Sequence, residues 1–320
     1  QTGFGKYEDK ILKNKFGSMV VYNAIKDLRT VGILREDLEK GIIEIATPVG
    51  VIAAIIPSTN PTSTTINKVL ISLKSRNGIV LSPHPSASQC IQETARILAE
   101  AARSAGAPEG LIQCMNVSTH EGTQELMKHR RTALILATGG HGLVRAAYSA
   151  GKPAYGVGPG NVPAYIETSA DIRKAVKDIF TGKCFDYGTL CSSEQAIVTD
   201  EAIQDKVTEE VTLNGGYFLN EEEIETLGRL VVTPNRTINP KIVGRAATVI
   251  ASMAGLRVPE GTQVLIARLK GVGRDFPLSI EKLSPILAFY VESDWRAACE
   301  RCIELVNYGG LGHTLAIHSK

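Results

Sequence analysis

Cys191 stands in Phe185-Asp186-Tyr187-Gly188-Thr189-Leu190-Cys191-Ser192-Ser193-Glu194, between a segment of helical periodicity and one of strand character. Small and polar neighbours on a loop leave a thiol accessible, and nearby backbone N–H groups favour its thiolate, the form that attacks a carbonyl carbon. Most lone cysteines are packing residues, so the setting rather than the residue type singles out Cys191. The other five lack it: Cys90, Cys299 and Cys302 fall in helical patterns, Cys114 in a strand and Cys184 just after a helix. Cys299-Glu300-Arg301-Cys302 has metal-ligand spacing, but no second pair completes four ligands, and the pair reads as core or surface thiols with no metal. His129 reads as a solvated helix residue, while His84, His141 and His313 adjoin Gly or Pro in loops that a ligand could reach. Gly156-Val157-Gly158-Pro159-Gly160 could cradle a phosphate, yet no Gly-Lys-Ser/Thr follows it and it does not fit the dinucleotide fingerprint.

The elements that must position these residues follow a βαβ rhythm, apolar runs of strand length alternating with helical patterns. Residues 49–56, 79–81, 111–117 and 132–137 read as strands buried on both faces, as a parallel sheet requires. Between them, residues 88–105 place Ile91, Ala95, Leu98 and Ala102 at helical spacing before Gly106 and Pro108, and a second helix covers 143–150. Such a sheet binds ligands at the carboxyl ends of its strands, where Ser82-Pro83-His84-Pro85 and Thr138-Gly139-Gly140-His141-Gly142 would lie. The glycine-rich stretch near residue 156 marks a domain boundary, giving domains 1–155 and 156–320. In the second, residues 171–183 read as a helix and 195–199 as a strand, Asp200 as a helix cap, and Asn239-Pro240 as the start of a helix over 241–254. Strands over 263–268 and 286–291 follow, and residues 316–320 look like a strand that continues, so both chain ends read as truncations.

Composition narrows the partners. The chain has 320 residues, 43% hydrophobic and 21% charged, which suits two soluble domains rather than a disordered or fibrous chain. Its 35 basic and 33 acidic residues leave a net charge of +2 with no long basic run, which argues against nucleic acid and a membrane surface and for a small-molecule partner. Apolar runs are about half the length of a membrane span. Six scattered cysteines fit reduced thiols, and the expected location is cytoplasmic.

Taken together, Pro57-Ser58-Thr59-Asn60-Pro61-Thr62, Ser82-Pro83-His84-Pro85, Thr138-Gly139-Gly140, Gly156-Val157-Gly158-Pro159-Gly160-Asn161, Cys191-Ser192-Ser193-Glu194-Gln195, Glu281-Lys282-Leu283-Ser284-Pro285 and Gly312-His313-Thr314 occur in the order and approximate spacing of the CoA-acylating aldehyde dehydrogenases. The sequence resembles that family throughout, close to the aldehyde dehydrogenase half of bifunctional aldehyde–alcohol dehydrogenases and to acylating sulfoacetaldehyde dehydrogenases. The resemblance implies an α/β fold, with a Rossmann-type cofactor-binding domain followed by an α/β catalytic domain. It implies Cys191 as nucleophile, Asn60 as an oxyanion donor and His313 as a histidine near the active site that deprotonates CoA or the thiol. By the same resemblance Glu281 holds the nicotinamide ribose, Thr138, Gly139 and Gly140 lie under the cofactor pyrophosphate, and Pro57, Ser58, Ser82, Pro83, His84 and Gly158 belong to the same cofactor cleft. NAD is the implied cofactor and coenzyme A the co-substrate. NADP stays open, because Ser82 and His84 stand where hydrolytic relatives place a Lys and often a Glu. Hydrolytic relatives also carry a Glu about thirty-five residues before the nucleophile, and Gly156 occupies that position here. A water nucleophile needs such a base, whereas a thiol is already partly thiolate at neutral pH. The resemblance further implies a homodimer or larger homo-oligomer, joined through a strand near 41–47, of the kind that forms filaments or enters microcompartments. A hydrolytic or phosphorylating semialdehyde dehydrogenase, and an assembly or scaffold subunit, are the competing readings.

Overall fold

The computed structural model describes residues 2–320, which divide into two compact units, one of residues 10–158 and one of residues 3–9 with 159–320. The division falls between Gly158 and Pro159. It lies three residues beyond the expected boundary because residues 154–157 form a strand of the first unit's sheet.

In the first unit, β1 (Gly32–Asp37) and β2 (Ile42–Ala46) form an antiparallel hairpin. Then come β3 (Val51–Ile56), β4 (Gly78–Pro83), β5 (Ile112–Cys114), β6 (Thr132–Thr138) and β7 (Ala154–Val157), a parallel sheet in the order β5-β4-β3-β6-β7. The apolar runs are buried on both faces because helices cover both. Ile52, Ala54, Ile56, Ile79 and Leu81 pack against Val69, Ile91 and Ala95 from the helices Pro61–Lys74 and Ser88–Ser104. On the other face Ala53, Ile55, Ile135 and Ala137 meet Met127 and Ala147 from His120–Lys128 and His141–Tyr148. The strand order reverses between β3 and β6, which opens a crevice beyond their carboxyl ends. Beneath it, buried Lys68 donates to the carbonyls of Ile55 at 2.8 Å and Leu136 at 2.9 Å, pinning the two strands together.

The second unit holds β8 (Val162–Ile166), β9 (Glu194–Asp200), β10 (Gly216–Phe218), β11 (Val264–Arg268), β12 (Ile286–Glu292) and β13 (Ala316–His318). They form one parallel sheet in the order β10-β11-β12-β9-β8-β13. The helices Ile172–Cys184 and Gln204–Leu213 cover one face. Glu221–Val231, Ala247–Met253 and Trp295–Gly309 cover the other.

Several local expectations change. The helix expected over 241–254 is split into a short 3-10 turn, Pro240–Ile242, and Ala247–Met253. Asn239 caps the turn as expected, through Lys241 N–H. Gly244 then takes φ +63°, its N–H donating to the Leu283 carbonyl and its own carbonyl accepting from Gly5 N–H, each at 2.9 Å. A side chain at Gly244 would strike Gly5 and Thr189, so tertiary bonding replaces the helical ladder there. Asp200 caps nothing with its side chain: its carboxylate accepts from the Tyr165 hydroxyl at 2.7 Å and from Thr168 N–H at 3.1 Å. The strand read over 111–117 is confined to Ile112–Cys114, Cys184 ends a helix rather than following one, His141 opens a helix, and His129 lies just past one.

Burial lowers the Lys68 amine to about 7. The unfolded chain therefore binds more protons than the folded one between about pH 7 and the ordinary lysine value, and this site's contribution to stability rises as pH rises through that window. The thermal midpoint of Lys68→Met, taken relative to the parent protein, should accordingly fall steadily from pH 7 to pH 10. A flat difference across that range would contradict the assignment.

Candidate functional site

Because every strand of the second unit's sheet points the same way, the loops that enter neighbouring strands share one edge. Gly160 and Asn161 lead into β8, Cys191 into β9, Glu281 into β12 and His313 into β13, and β12, β9, β8 and β13 are consecutive in the sheet. The site thus forms at the amino ends of four strands, opposite the carboxyl edge that open α/β sheets ordinarily use.

Gly160 is the meeting point. Its N–H donates to Glu281 Oε1 at 2.8 Å. A Cβ on it would overlap the carbonyl oxygen of Cys191 and stand 3.1 Å from the His313 ring, so only glycine lets these loops approach so closely. Buried Asn161 donates to the carbonyls of Ser279 at 2.8 Å and Leu305 at 3.0 Å, anchoring the segment to the loop before Glu281 and to the helix before His313. His313 N–H in turn bonds the Gly310 carbonyl at 3.0 Å, while its Nδ1 is buried without a hydrogen-bond partner.

The Cys191 loop is held under strain. Asp186 and Tyr187 both adopt φ +50°, a conformation that costs L-residues energy and persists only where surroundings enforce it. Those surroundings are specific: the buried Asp186 carboxylate accepts from Lys6 N–H at 2.8 Å and from the Thr189 hydroxyl at 2.6 Å, and Asp186 N–H donates to Asp9 at 2.7 Å. Lys6 also lies over the Tyr187 ring at 4.6 Å. Leu283, at φ +45°, marks similar strain beside Glu281. Cys191 itself is half-buried and Ser192 exposed, which suits a nucleophile reached from outside.

Charge buried around the site shifts the ionisation of several groups. Burial pushes the Glu281 carboxyl up to about 7 and the Lys183 amine down to about 7. It raises Glu194, lowers Lys282 well below its ordinary value, and keeps His313 more readily neutral. Cys302, by contrast, is packed with Tyr165, Ala298 and Leu305 in the core, and burial pushes its thiol up to about 12. That thiol is protonated at neutral pH and cannot act as a thiolate nucleophile.

The remaining predicted residues line the carboxyl edge of the first unit's sheet. Pro57 and Ser58 follow β3, Ser82 and Pro83 end β4 with His84 next, and Thr138 ends β6 with Gly139 and Gly140 next. Gly140 precedes the helix His141–Tyr148, Gly139 N–H donates to the Val157 carbonyl at 3.1 Å, and Gly158 follows β7. A cleft at a strand-order reversal, with a glycine turn opening a helix, suits a dinucleotide. Ser82 is buried with its hydroxyl bonded to Thr123 at 2.7 Å, and the His84 ring bonds Ser86 at 2.8 Å. Asn60 occupies an N-cap position without capping: its Oδ1 is buried without a partner, and its Nδ2 reaches only Thr59 at 3.3 Å.

Lys183, Gln195 and Lys282 were not singled out from sequence, yet all three are fully buried behind the Cys191 and Glu281 loops. A signal existed for Lys183, which falls on the same helical stripe as Ala175, Val176, Ile179 and Phe180. Among the described residues, no three His, Cys, Asp or Glu side chains gather as a metal site, and no helix is long and apolar enough to cross a membrane.

Comparison with known proteins matches residues 20–214 to the aldehyde dehydrogenase family. An acetylating aldehyde dehydrogenase from Geobacillus thermoglucosidasius is 57% identical, with a TM-score of 0.96 over the whole of this chain and 70% of its own. A propionaldehyde dehydrogenase from Rhodopseudomonas palustris, solved with bound CoA and an acylated cysteine, is 30% identical with a TM-score of 0.86 over the whole chain and 71% of its own. The aldehyde–alcohol dehydrogenase of Clostridium acetobutylicum is 46% identical over the whole chain, which spans only 37% of that protein's length. The chain belongs to the aldehyde dehydrogenase family, in the acylating branch related to the aldehyde–alcohol and acylating sulfoacetaldehyde dehydrogenases.

Proposed function

We propose that the whole protein is a CoA-acylating aldehyde dehydrogenase, converting a short-chain aldehyde, NAD+ and CoA reversibly into acyl-CoA, NADH and a proton. The observation that carries this reading is the half-buried Cys191 on a strained, anchored loop, with Glu281 and His313 converging on Gly160 beside it. The relative with bound CoA and an acylated cysteine supports the same chemistry.

The Cys191 sulfur adds to the aldehyde carbon to give a thiohemiacetal, and Asn60 takes the oxyanion-donor role that the family resemblance gives it. A bound NAD+ would supply the two-electron acceptor for the hydride on that carbon, so that Cys191 would carry the acyl group as a thioester. By the family resemblance the Glu281 carboxylate would hold the nicotinamide ribose and the Thr138-Gly139-Gly140 turn would carry the pyrophosphate, with Pro57, Ser58, Ser82, Pro83, His84 and Gly158 at the carboxyl edge of the first unit's sheet beside that turn. The CoA sulfur then attacks the thioester carbon, the bond to Cys191 breaks, and acyl-CoA leaves. His313, kept neutral by burial, takes the proton released as a thiol becomes a thiolate.

Thiolysis rather than hydrolysis is favoured at Gly156. A Cβ there would come within 2.6 Å of Val144 Cγ1 and 2.9 Å of the Tyr148 ring, and Gly156 N–H bonds the Tyr148 hydroxyl at 3.0 Å. A glutamate base for water is absent at this position and would not fit without displacing both neighbours.

The β1–β2 hairpin supports assembly with further copies of the chain. Ile42, Ile43 and Ile45 of β2 are 50%, 57% and 60% exposed, an apolar face that a soluble chain ordinarily covers.

Five outcomes test these readings on the full-length protein. NAD reduction by a short aldehyde should require CoA and yield acyl-CoA; equal turnover without CoA would mean hydrolysis. Cys191→Ala should lose at least about a thousandfold in turnover, and His313→Ala about a hundredfold with an altered pH profile. Because Glu281 protonates near pH 7, NADH affinity measured by fluorescence should weaken from pH 8 to pH 6, and Glu281→Gln should abolish that trend. Ile43→Glu combined with Ile45→Glu should shift the particle mass downward in mass photometry, whereas an unchanged mass would place the assembly face elsewhere.

A further inference from the structure

The three fully buried polar residues behind the Cys191 and Glu281 loops form one connected arrangement. Gln195 lies on β9, four residues after Cys191, with its side chain wholly enclosed. Its Oε1 accepts twice, from Lys183 Nζ at 3.2 Å and from the backbone N–H of Lys282 at 3.0 Å. Its Nε2 donates to the Ser193 carbonyl at 3.2 Å. One amide therefore bonds the turn just after Cys191, the end of the helix before it, and the residue next to Glu281.

The partners of Gln195 are themselves fixed. Lys282 sends its amine to the carbonyls of Leu278 at 2.9 Å and Ile280 at 2.7 Å, and its own carbonyl accepts from the Ser284 hydroxyl at 2.9 Å, which stiffens the Glu281 loop on both sides. Gly182 leaves room for the Glu194 carboxylate, whose oxygens would lie 2.6 and 2.9 Å from a Cβ there, close beside Lys183. Burying two lysines costs free energy that aliphatic side chains would not incur, and a hydrophobic replacement of similar volume is often neutral or stabilising. Stability alone thus gives no reason for lysines at these positions, whereas a fixed register between two loops does.

We propose that Gln195 is a positioning residue of the reaction, clamping the Cys191 loop to the Glu281 loop through both ends of its amide, Nε2 on the Ser193 carbonyl and Oε1 on Lys282 N–H, with Lys183 as the buried strut that orients the amide. The proposal rests on the reading of Cys191 as nucleophile. Its effect is geometric: loss of the clamp lets the sulfur and the Glu281 carboxylate drift independently, and a displacement of about 1 Å can lower a rate about a hundredfold.

The test compares Gln195→Met with Gln195→Glu in the full-length protein, below the melting temperature of each. Glutamate keeps an acceptor for Lys183 and for Lys282 N–H but loses the donor to the Ser193 carbonyl, whereas methionine keeps only the volume. Two quantities are read: kcat with the KM for NAD, and the rate of Cys191 alkylation by iodoacetamide across pH 6 to 10, with the label located by mass spectrometry. Gln195→Met should lower kcat at least tenfold, raise the KM for NAD several-fold, and change the limiting alkylation rate at high pH at least threefold. Gln195→Glu, which keeps the bond to Lys282 N–H, should recover the KM for NAD to within about threefold of the parent. Should Gln195→Met not fold, Gln195→Asn replaces it with the same expectations, since the shorter amide cannot span both partners. An unaltered alkylation rate in the Met or Asn variant would overturn the proposal, as would a Glu variant whose KM for NAD is no better than that of Met. Alkylation needs neither aldehyde, NAD nor CoA, so a parent protein that makes no acyl-CoA would end the proposed function while leaving the clamp still decided by that rate.

Discussion

Parallel pairing of β12, β9, β8 and β13 is the constraint on which the second unit's chemistry depends. Antiparallel neighbours would send alternate loops to opposite edges, whereas four parallel strands bring every entering loop to one edge. Residues 160, 191, 281 and 313, separated by tens of positions in the chain, become neighbours for that reason alone. Glycine at 160 then allows the backbones to approach, and its N–H takes up one oxygen of the buried Glu281 carboxylate.

The edge so built is costly, and the cost is distributed rather than hidden. Left-handed backbone at Asp186, Tyr187 and Leu283 flanks Cys191 and Glu281, and two lysines lie fully enclosed behind them. Three of these five residues have compensating partners: Asp186 in the N–H of Lys6 and the hydroxyl of Thr189, Lys282 in two carbonyls, Lys183 in Gln195. Strain and buried charge gathered around one half-buried thiol are what a preorganised site requires, since its groups must be fixed before the substrate arrives. The buried Cys302 shows the contrast, a thiol in an apolar cluster whose environment suppresses reactivity.

The first unit solves a different problem with the opposite edge of its sheet. Reversal of strand order between β3 and β6 leaves a crevice at their carboxyl ends, and Lys68 closes its floor by bonding a carbonyl from each strand. Asn60 stands at the N-cap of the helix after β3 without capping it, its Oδ1 buried without a partner and its Nδ2 turned to Thr59. Ser82 differs, its hydroxyl being committed to Thr123 in the interior.

Local physics was legible from the amino acids. Continuous apolar runs meant strands covered on both faces, helical spacing of Ile91, Ala95, Leu98 and Ala102 meant an amphipathic helix, and the small polar residues around Cys191 meant an accessible thiol. These readings hold because they depend on side-chain period and on immediate neighbours. The helix expected over 241–254 fails because Gly244 is claimed by bonds to Gly5 and Leu283, which no local pattern announces. Lys183 and Gln195 escaped notice because their significance lies in partners that only the folded sheet supplies. The sequence by itself determined most of the elements and singled out one thiol as the candidate nucleophile. Only the tertiary structure decided what stands beside that thiol, because strand order, not chain order, sets which loops share an edge.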